Sequence, residues 1–158
     1  MIDPASAGQR INDRYMDGKK GIRKRWKEEA MEWTFRQGTP IYAQIIEQMH
    51  MSIANGTFKP GQRLASVRDI ATEAEVNPNT MQRALSSLEQ EGLLHTERTS
   101  GRFITEEESK LDDLRKSLGN RFIDELFSNL EKLGMKKEEI IEAVEKYAAD
   151  NRNGAEVK

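Results

Sequence analysis

The chain has 158 residues, a formal net charge of −2, no cysteine and two histidines. That length suits one ordinary domain, or a small domain with an appendage, and the missing cysteine excludes disulfides, thiolate zinc sites and cysteine nucleophiles while fitting a reducing cytoplasm. No run approaches the roughly 18 apolar residues of a membrane-spanning helix, and the N-terminus has no apolar signal core, so a cytoplasmic protein without a membrane partner is expected.

Residues 1–37 read as a basic leader, disordered or non-native, whose densest run is Lys19-Lys20-Gly21-Ile22-Arg23-Lys24-Arg25. The alternative is an arm along a phosphate backbone. Met31 is a candidate start, because Lys27-Glu28-Glu29-Ala30 resembles a translated ribosome-binding site. No core periodicity is evident before Pro40. Residues 1–39 carry 9 basic and 6 acidic groups.

From Pro40 the pattern changes. Ile41, Ile45, Ile46, Met49 and Ile53 fall near helical spacing, with Thr39-Pro40 as cap and first position and Asn55-Gly56 as the stop. Phe58-Lys59-Pro60-Gly61 is a turn leading to an extended Arg63-Leu64. Ser66-Val67-Arg68-Asp69 has capping-box spacing for a short helix from Ser66 to about Glu73. Asn77 then caps and Pro78 begins a third helix to Glu91, with Met81, Ala84, Leu85 and Leu88 facing inward. After Gly92, Leu93–Arg98 alternates as a strand, Thr99-Ser100-Gly101 turns, and Arg102–Thr105 returns. Three helices and a hairpin predict a winged helix-turn-helix over residues 38–105.

The tail, residues 106–150, carries Leu111, Leu114, Leu118, Phe122, Leu126, Leu130 and Leu133 three or four apart, which is one long amphipathic helix. Gly134 ends it. Ile140, Ile141, Val144, Tyr147 and Ala148 face one side of a second helix, and residues 151–158 are a disordered end. Two such helices bury little alone, so a homodimer is expected through Leu111, Leu114, Leu118, Phe122, Leu126, Leu130, Ile140, Val144 and Tyr147. The alternative is a tail folded back on its own domain. The fold class is therefore mainly α with a small β-hairpin wing (α+β), followed by a helical dimerisation hairpin.

Residues 40–105 carry 6 basic and 7 acidic groups, and residues 106–158 carry 10 and 14. DNA binding by the middle segment thus depends on where its cations lie rather than on a large positive field. Asn79, Thr80, Gln82 and Arg83 stand near the start of the third helix, off its core face. The second helix of a helix-turn-helix puts such residues in the major groove, where Asn and Gln pair with adenine and Arg with guanine. Free N–H groups near Asn77 and Asn79 suit a phosphate. Arg68, Arg98 and Arg102 are placed to grip the backbone or enter a minor groove.

The combination resembles the GntR family of bacterial regulators, in its short-tailed YtrA-like branch. The residues that carry this are Pro40-Ile41-Tyr42-Ala43-Gln44-Ile45, Lys59-Pro60-Gly61-Gln62-Arg63-Leu64, Ser66-Val67-Arg68-Asp69-Ile70-Ala71, Val76 through Ala84, and Leu88-Glu89-Gln90-Glu91-Gly92-Leu93. The resemblance implies a dimeric winged-helix repressor on a palindromic operator, often of its own operon beside transporter genes. It implies DNA contacts from Arg68, Asn77, Asn79, Thr80, Gln82, Arg83 and the wing turn Thr99, Ser100 and Gly101. Three positions depart from the family pattern. Ala65 replaces a usual Pro, Thr99-Ser100 replaces Gly-Lys at the wing tip, and Gln82 stands where longer-tailed members have Arg.

An enzyme is not expected: His50 and His95 are isolated, and Glu106-Glu107-Glu108 and Lys136-Lys137-Glu138-Glu139 read as solvated charge runs. No cofactor, metal or small-molecule effector is evident. The rival to a DNA-binding regulator is a winged helix that binds proteins.

Overall fold

The computed structural model describes residues 31–155, with side chains through Arg152. The leader reading for residues 1–30 lies outside the described residues. In order come α1 (Ile41–Ala54), α2 (Val67–Glu73), α3 (Pro78–Gln90), β1 (Leu94–Glu97), β2 (Gly101–Ile104), α4 (Glu108–Lys132) and α5 (Lys137–Ala155). One compact unit ends at Leu114 and a second begins at Arg115, so the division falls inside α4 rather than before it at residue 106.

In the first unit the inward stripes supply the core. Ile45, Met49 and Ile53 of α1, Ile70 and Ala71 of α2, and Met81, Ala84, Leu85 and Leu88 of α3 are all buried, together with Phe58 and Leu64 from the intervening loop. Burying the larger of these side chains stabilises by about 1.5–3 kcal/mol each. Ile41, expected on the same face, is exposed instead. Thr39 does not cap α1 either. Pro40 takes the cap position without a side-chain bond, and the Thr39 carbonyl accepts from Gln44 Nε2 at 2.8 Å.

Residues 31–36, expected to be leader, belong to the folded body as an extended strap. Met31 is buried and Trp33 and Phe35 half-buried, with Glu32, Thr34 and Arg36 between them exposed. The two aromatic rings stack with centroids 6.1 Å apart. Two glutamines one turn apart on α1 hold this strap. Gln48 Oε1 accepts from the Thr34 N–H at 3.0 Å and its Nε2 donates to the Thr34 carbonyl at 2.8 Å. Gln44 pairs with Arg36 in the same way, at 2.9 and 3.0 Å. Each carboxamide thereby satisfies a peptide group as a neighbouring strand would.

Both internal caps form as the spacing predicts. Ser66 Oγ accepts from the Asp69 N–H at 3.1 Å and donates to the Asp69 carboxylate at 2.8 Å. Asn77 Oδ1 accepts from the Asn79 N–H at 2.8 Å, with Pro78 in the first helical position. Between these helices Glu75 holds a left-handed φ of 55°, an unusual conformation for a residue with a Cβ. The hairpin pairs Leu94 with Ile104, His95 with Phe103, Thr96 with Arg102 and Glu97 with Gly101. Arg63 bridges to Phe103 on the far side of β2. Leu64 N–H donates to the Arg102 carbonyl at 2.9 Å and Ile104 N–H to the Gln62 carbonyl at 2.9 Å, so the loop before α2 guards one edge of the wing.

The second unit contains the rest of α4, a stop at Gly134 with φ 86°, and α5. Lys136 N–H donates to Glu139 Oε2 at 2.7 Å, a side-chain cap for α5. This helix continues to Ala155, past the disordered end expected from residue 151. Among the described residues no helix is long and apolar enough to cross a membrane.

Candidate nucleic-acid interface

The start of α3 presents the expected readers. Asn79, Gln82 and Arg83 are exposed and Thr80 is half-buried, while Met81 and Ala84 beside them are buried. That division follows from helical periodicity: one apolar face is spent on the core and the other is left for contact. Gln82 Nε2 donates to Ser86 Oγ one turn on, at 3.1 Å. The guanidinium of Arg83 lies over the Tyr42 ring, 5.1 Å from its centroid. Tyr42 thus gives a side chain expected to read DNA a ring to rest on. Sequence reasoning gave it no such role, because it lies 41 positions from Arg83 in the chain.

The flanking cations divide into two groups. Arg68 on α2 and Arg98 at the end of the wing strand are exposed, and among the described residues neither side chain has a hydrogen-bond or ion-pair partner. Arg102 differs. Its side chain is only 18% exposed, its Nη1 reaches Gln82 Oε1 at 3.4 Å, and its Nε lies 3.7 Å from Glu89 Oε2. Expected to grip the DNA backbone, it is turned inward onto α3.

The wing turn is closed by the Ser100 N–H donating to the Glu97 carbonyl at 3.3 Å. Thr99 and Gly101 are exposed and Ser100 is half-buried. Gly101 has φ 105°, a backbone conformation that favours glycine, and a Cβ there would stand 3.3 Å from Arg63 Nε, so the Arg63 guanidinium lies close against the turn. Arg63 therefore joins the wing surface. The sequence shows it as one residue of an extended loop, and its register against Phe103 is what brings it there.

A cavity of about 640 Å³ opens beside this surface, lined among others by Trp33, Phe35, Ile41, Glu75, Val76 and Thr80. The Glu73 and Glu75 carboxylates in its lining separate it in charge from the arginine-bearing face.

The tail residues expected at a dimer interface also divide. Leu111, Leu114, Leu118 and Ile140 are already buried within the single chain. Phe122, Leu126, Val144 and Tyr147 remain exposed, as do Ile123, Leu133 and Ile141, and Leu130 is half-buried.

Comparison with known proteins places this geometry in a group. Residues 41–104 match the family described as bacterial regulatory proteins, gntR family. The chain is 34% identical over 117 residues to the uncharacterized HTH-type transcriptional regulator YhcF of Bacillus subtilis, covering 74% of this chain and 97% of that one. It is 36% identical over 125 residues to the HTH-type transcriptional repressor YtrA of the same organism, covering 75% of this chain and 92% of that one. Among solved structures, a GntR family transcriptional regulator from Listeria monocytogenes is similar with a TM-score of 0.65 and 38% identity, over 71% of this chain and 98% of that chain.

Proposed function

The chain belongs to the GntR family of bacterial regulatory proteins and is a DNA-binding transcriptional regulator rather than an enzyme, and from that premise we propose that it is a homodimeric repressor acting on a palindromic operator. The observation that carries the reading is the start of α3. There a doubly marked cap delivers Asn79, Thr80, Gln82 and Arg83 outward from a buried stripe. Gln82 and Asn79 read adenine and Arg83 reads guanine or a neighbouring phosphate. Asn77 at this helix end, Arg68 on α2, and Arg63, Arg98, Thr99, Ser100 and Gly101 around the wing hold the backbone on either side.

Residues 38–105 form the DNA-binding part and residues 106–150 the dimerisation part of this proposal. The exposed apolar faces of α4 and α5 support it, since a second copy would cover them in an isologous contact and set two reading helices against two half-sites. Regulation of the chain's own operon, beside transporter genes, in the cytoplasm completes the reading.

Selection of duplexes from a random library at near-physiological salt tests the proposal. An enriched palindrome with two half-sites is the expected result. Retention without sequence enrichment would overturn it and favour the protein-binding alternative, for which the modest charge of residues 40–105 speaks.

A further inference from the structure

The most deeply committed cation on the candidate DNA face is Arg102, and its partners sit on the reading helix. Its Nη1 reaches Gln82 Oε1 at 3.4 Å, while the other end of that carboxamide donates to Ser86 Oγ at 3.1 Å. Its Nε lies 3.7 Å from Glu89 Oε2, with Arg102 18% and Glu89 34% exposed. The buried Nε–H has no hydrogen-bond partner. A charge pair at that distance, half out of water and lacking a formed hydrogen bond, is a weak hold. A phosphate oxygen offers the same guanidinium a charge-assisted, bidentate contact.

Resting on the reading that Gln82 and the wing meet DNA, we infer that Glu89 limits DNA affinity by serving as the resident counter-ion of Arg102. In the free protein Glu89 and Gln82 hold Arg102 against α3, and Gln82 is itself occupied by Arg102 and Ser86. On an operator the two are released together. When Gln82 turns its carboxamide to a base edge, Arg102 loses one of its two partners and moves to phosphate, leaving Glu89 to solvent. Direct readout and backbone grip are thereby coupled through one carboxylate at the far end of α3. Nonspecific DNA, which gives Gln82 no base to pair with, leaves the hold in place.

The test is titration of the selected duplex, over a range of salt concentrations, with Glu89→Gln, Arg102→Ala and the double variant. Glu89→Gln is expected to bind between about two- and fivefold more tightly, as for release of a surface ion pair. The freed arginine should reach nonspecific duplex too, steepening its salt dependence by about 0.9 in the log–log slope, one additional phosphate. In the Arg102→Ala background the Glu89 substitution should change nothing. Glu91→Gln removes the same charge two residues further on, where its partner is His50 at 2.7 Å, and should leave the slope unchanged. Equal tightening by Glu91→Gln and Glu89→Gln would reduce the effect to general repulsion and overturn the inference, as would tightening that persists without Arg102. Failure of the unsubstituted protein to enrich any duplex would overturn the proposed function and this inference together. Enrichment with Glu89→Gln unchanged would overturn the inference alone.

Discussion

Arg83 reaches back from α3 to place its guanidinium 5.1 Å above the ring of Tyr42 at the start of α1. Both residues are solvent-accessible, so the contact contributes about 0.5–1 kcal/mol at most. Its value lies in direction, because an arginine freezes several rotatable bonds when it binds and a ring that pre-sets them lowers that cost. Tyr42→Leu should weaken operator binding by about two- to fivefold, and Tyr42→Phe should leave it within about twofold because the ring face survives. Equal loss in both variants would point to the hydroxyl instead. Fluorescence anisotropy on the selected duplex reads the difference.

Base reading and phosphate holding separate by salt dependence. Arg68 is exposed on α2, and Arg68→Ala should weaken binding to operator and non-operator duplexes alike, while lowering the salt slope by about 0.9. Gln82→Ala should instead relax preference at one base pair of each half-site by about 1–3 kcal/mol. A uniform loss from Gln82→Ala across sequences would remove that residue from the readers.

Glu75 sits between α2 and α3 with φ 55°. A Cβ in this region costs roughly 1–2 kcal/mol, and glycine loses about 0.5–1 kcal/mol of that gain through the greater freedom of its unfolded chain. Glu75→Gly should therefore raise stability modestly, by about 0.5–1 kcal/mol, visible as a higher Tm. A lowered Tm would mean that the carboxylate makes a contribution larger than the backbone strain.

Gln44 is almost wholly buried and serves three backbone groups: the Arg36 N–H, the Arg36 carbonyl and the Thr39 carbonyl. Gln44→Ala leaves these groups unpaired and should destabilise by about 2–3 kcal/mol. Gln48→Ala, at the more exposed end of the strap, should cost less, since water can replace its bonds to Thr34. Proteolysis of the strap followed by mass spectrometry would show whether it opens in each variant.

Legibility in the sequence followed locality. The caps at Ser66 and Asn77 were readable because capping partners lie two or three residues apart, and the Met81, Ala84, Leu85, Leu88 stripe because one helix carries it. The strap was missed because three alternating apolar residues, Met31, Trp33 and Phe35, are too few to stand out, and its partners Gln44 and Gln48 look like ordinary surface glutamines. Arg63 and Glu89 were missed for the same reason in the candidate site. Their positions follow from strand register and from a contact between α3 and the wing, neither of which is encoded in spacing. Arg102 is expected from the sequence at the DNA backbone, but its inward turn depends on an acid thirteen residues earlier.

The tail allows a substitution to separate assembly from folding. Leu118 is buried within the single chain, so replacing it would disturb the fold and report nothing about partners. Leu126 and Val144 are about 40% exposed there, on α4 and α5. Introducing a charge at either position should cost the single chain little, whereas in a homodimer that covers both faces it would bury an unpaired carboxylate, a penalty of several kcal/mol. Leu126→Glu and Val144→Glu should each convert the dimer to a monomer in sedimentation at micromolar concentration while keeping helical circular dichroism. Operator affinity should then fall far more than affinity for a single half-site, because one reading helix no longer delivers the second. If both variants sediment with the unsubstituted protein, the covering surface lies elsewhere and the dimer reading of α4 and α5 fails.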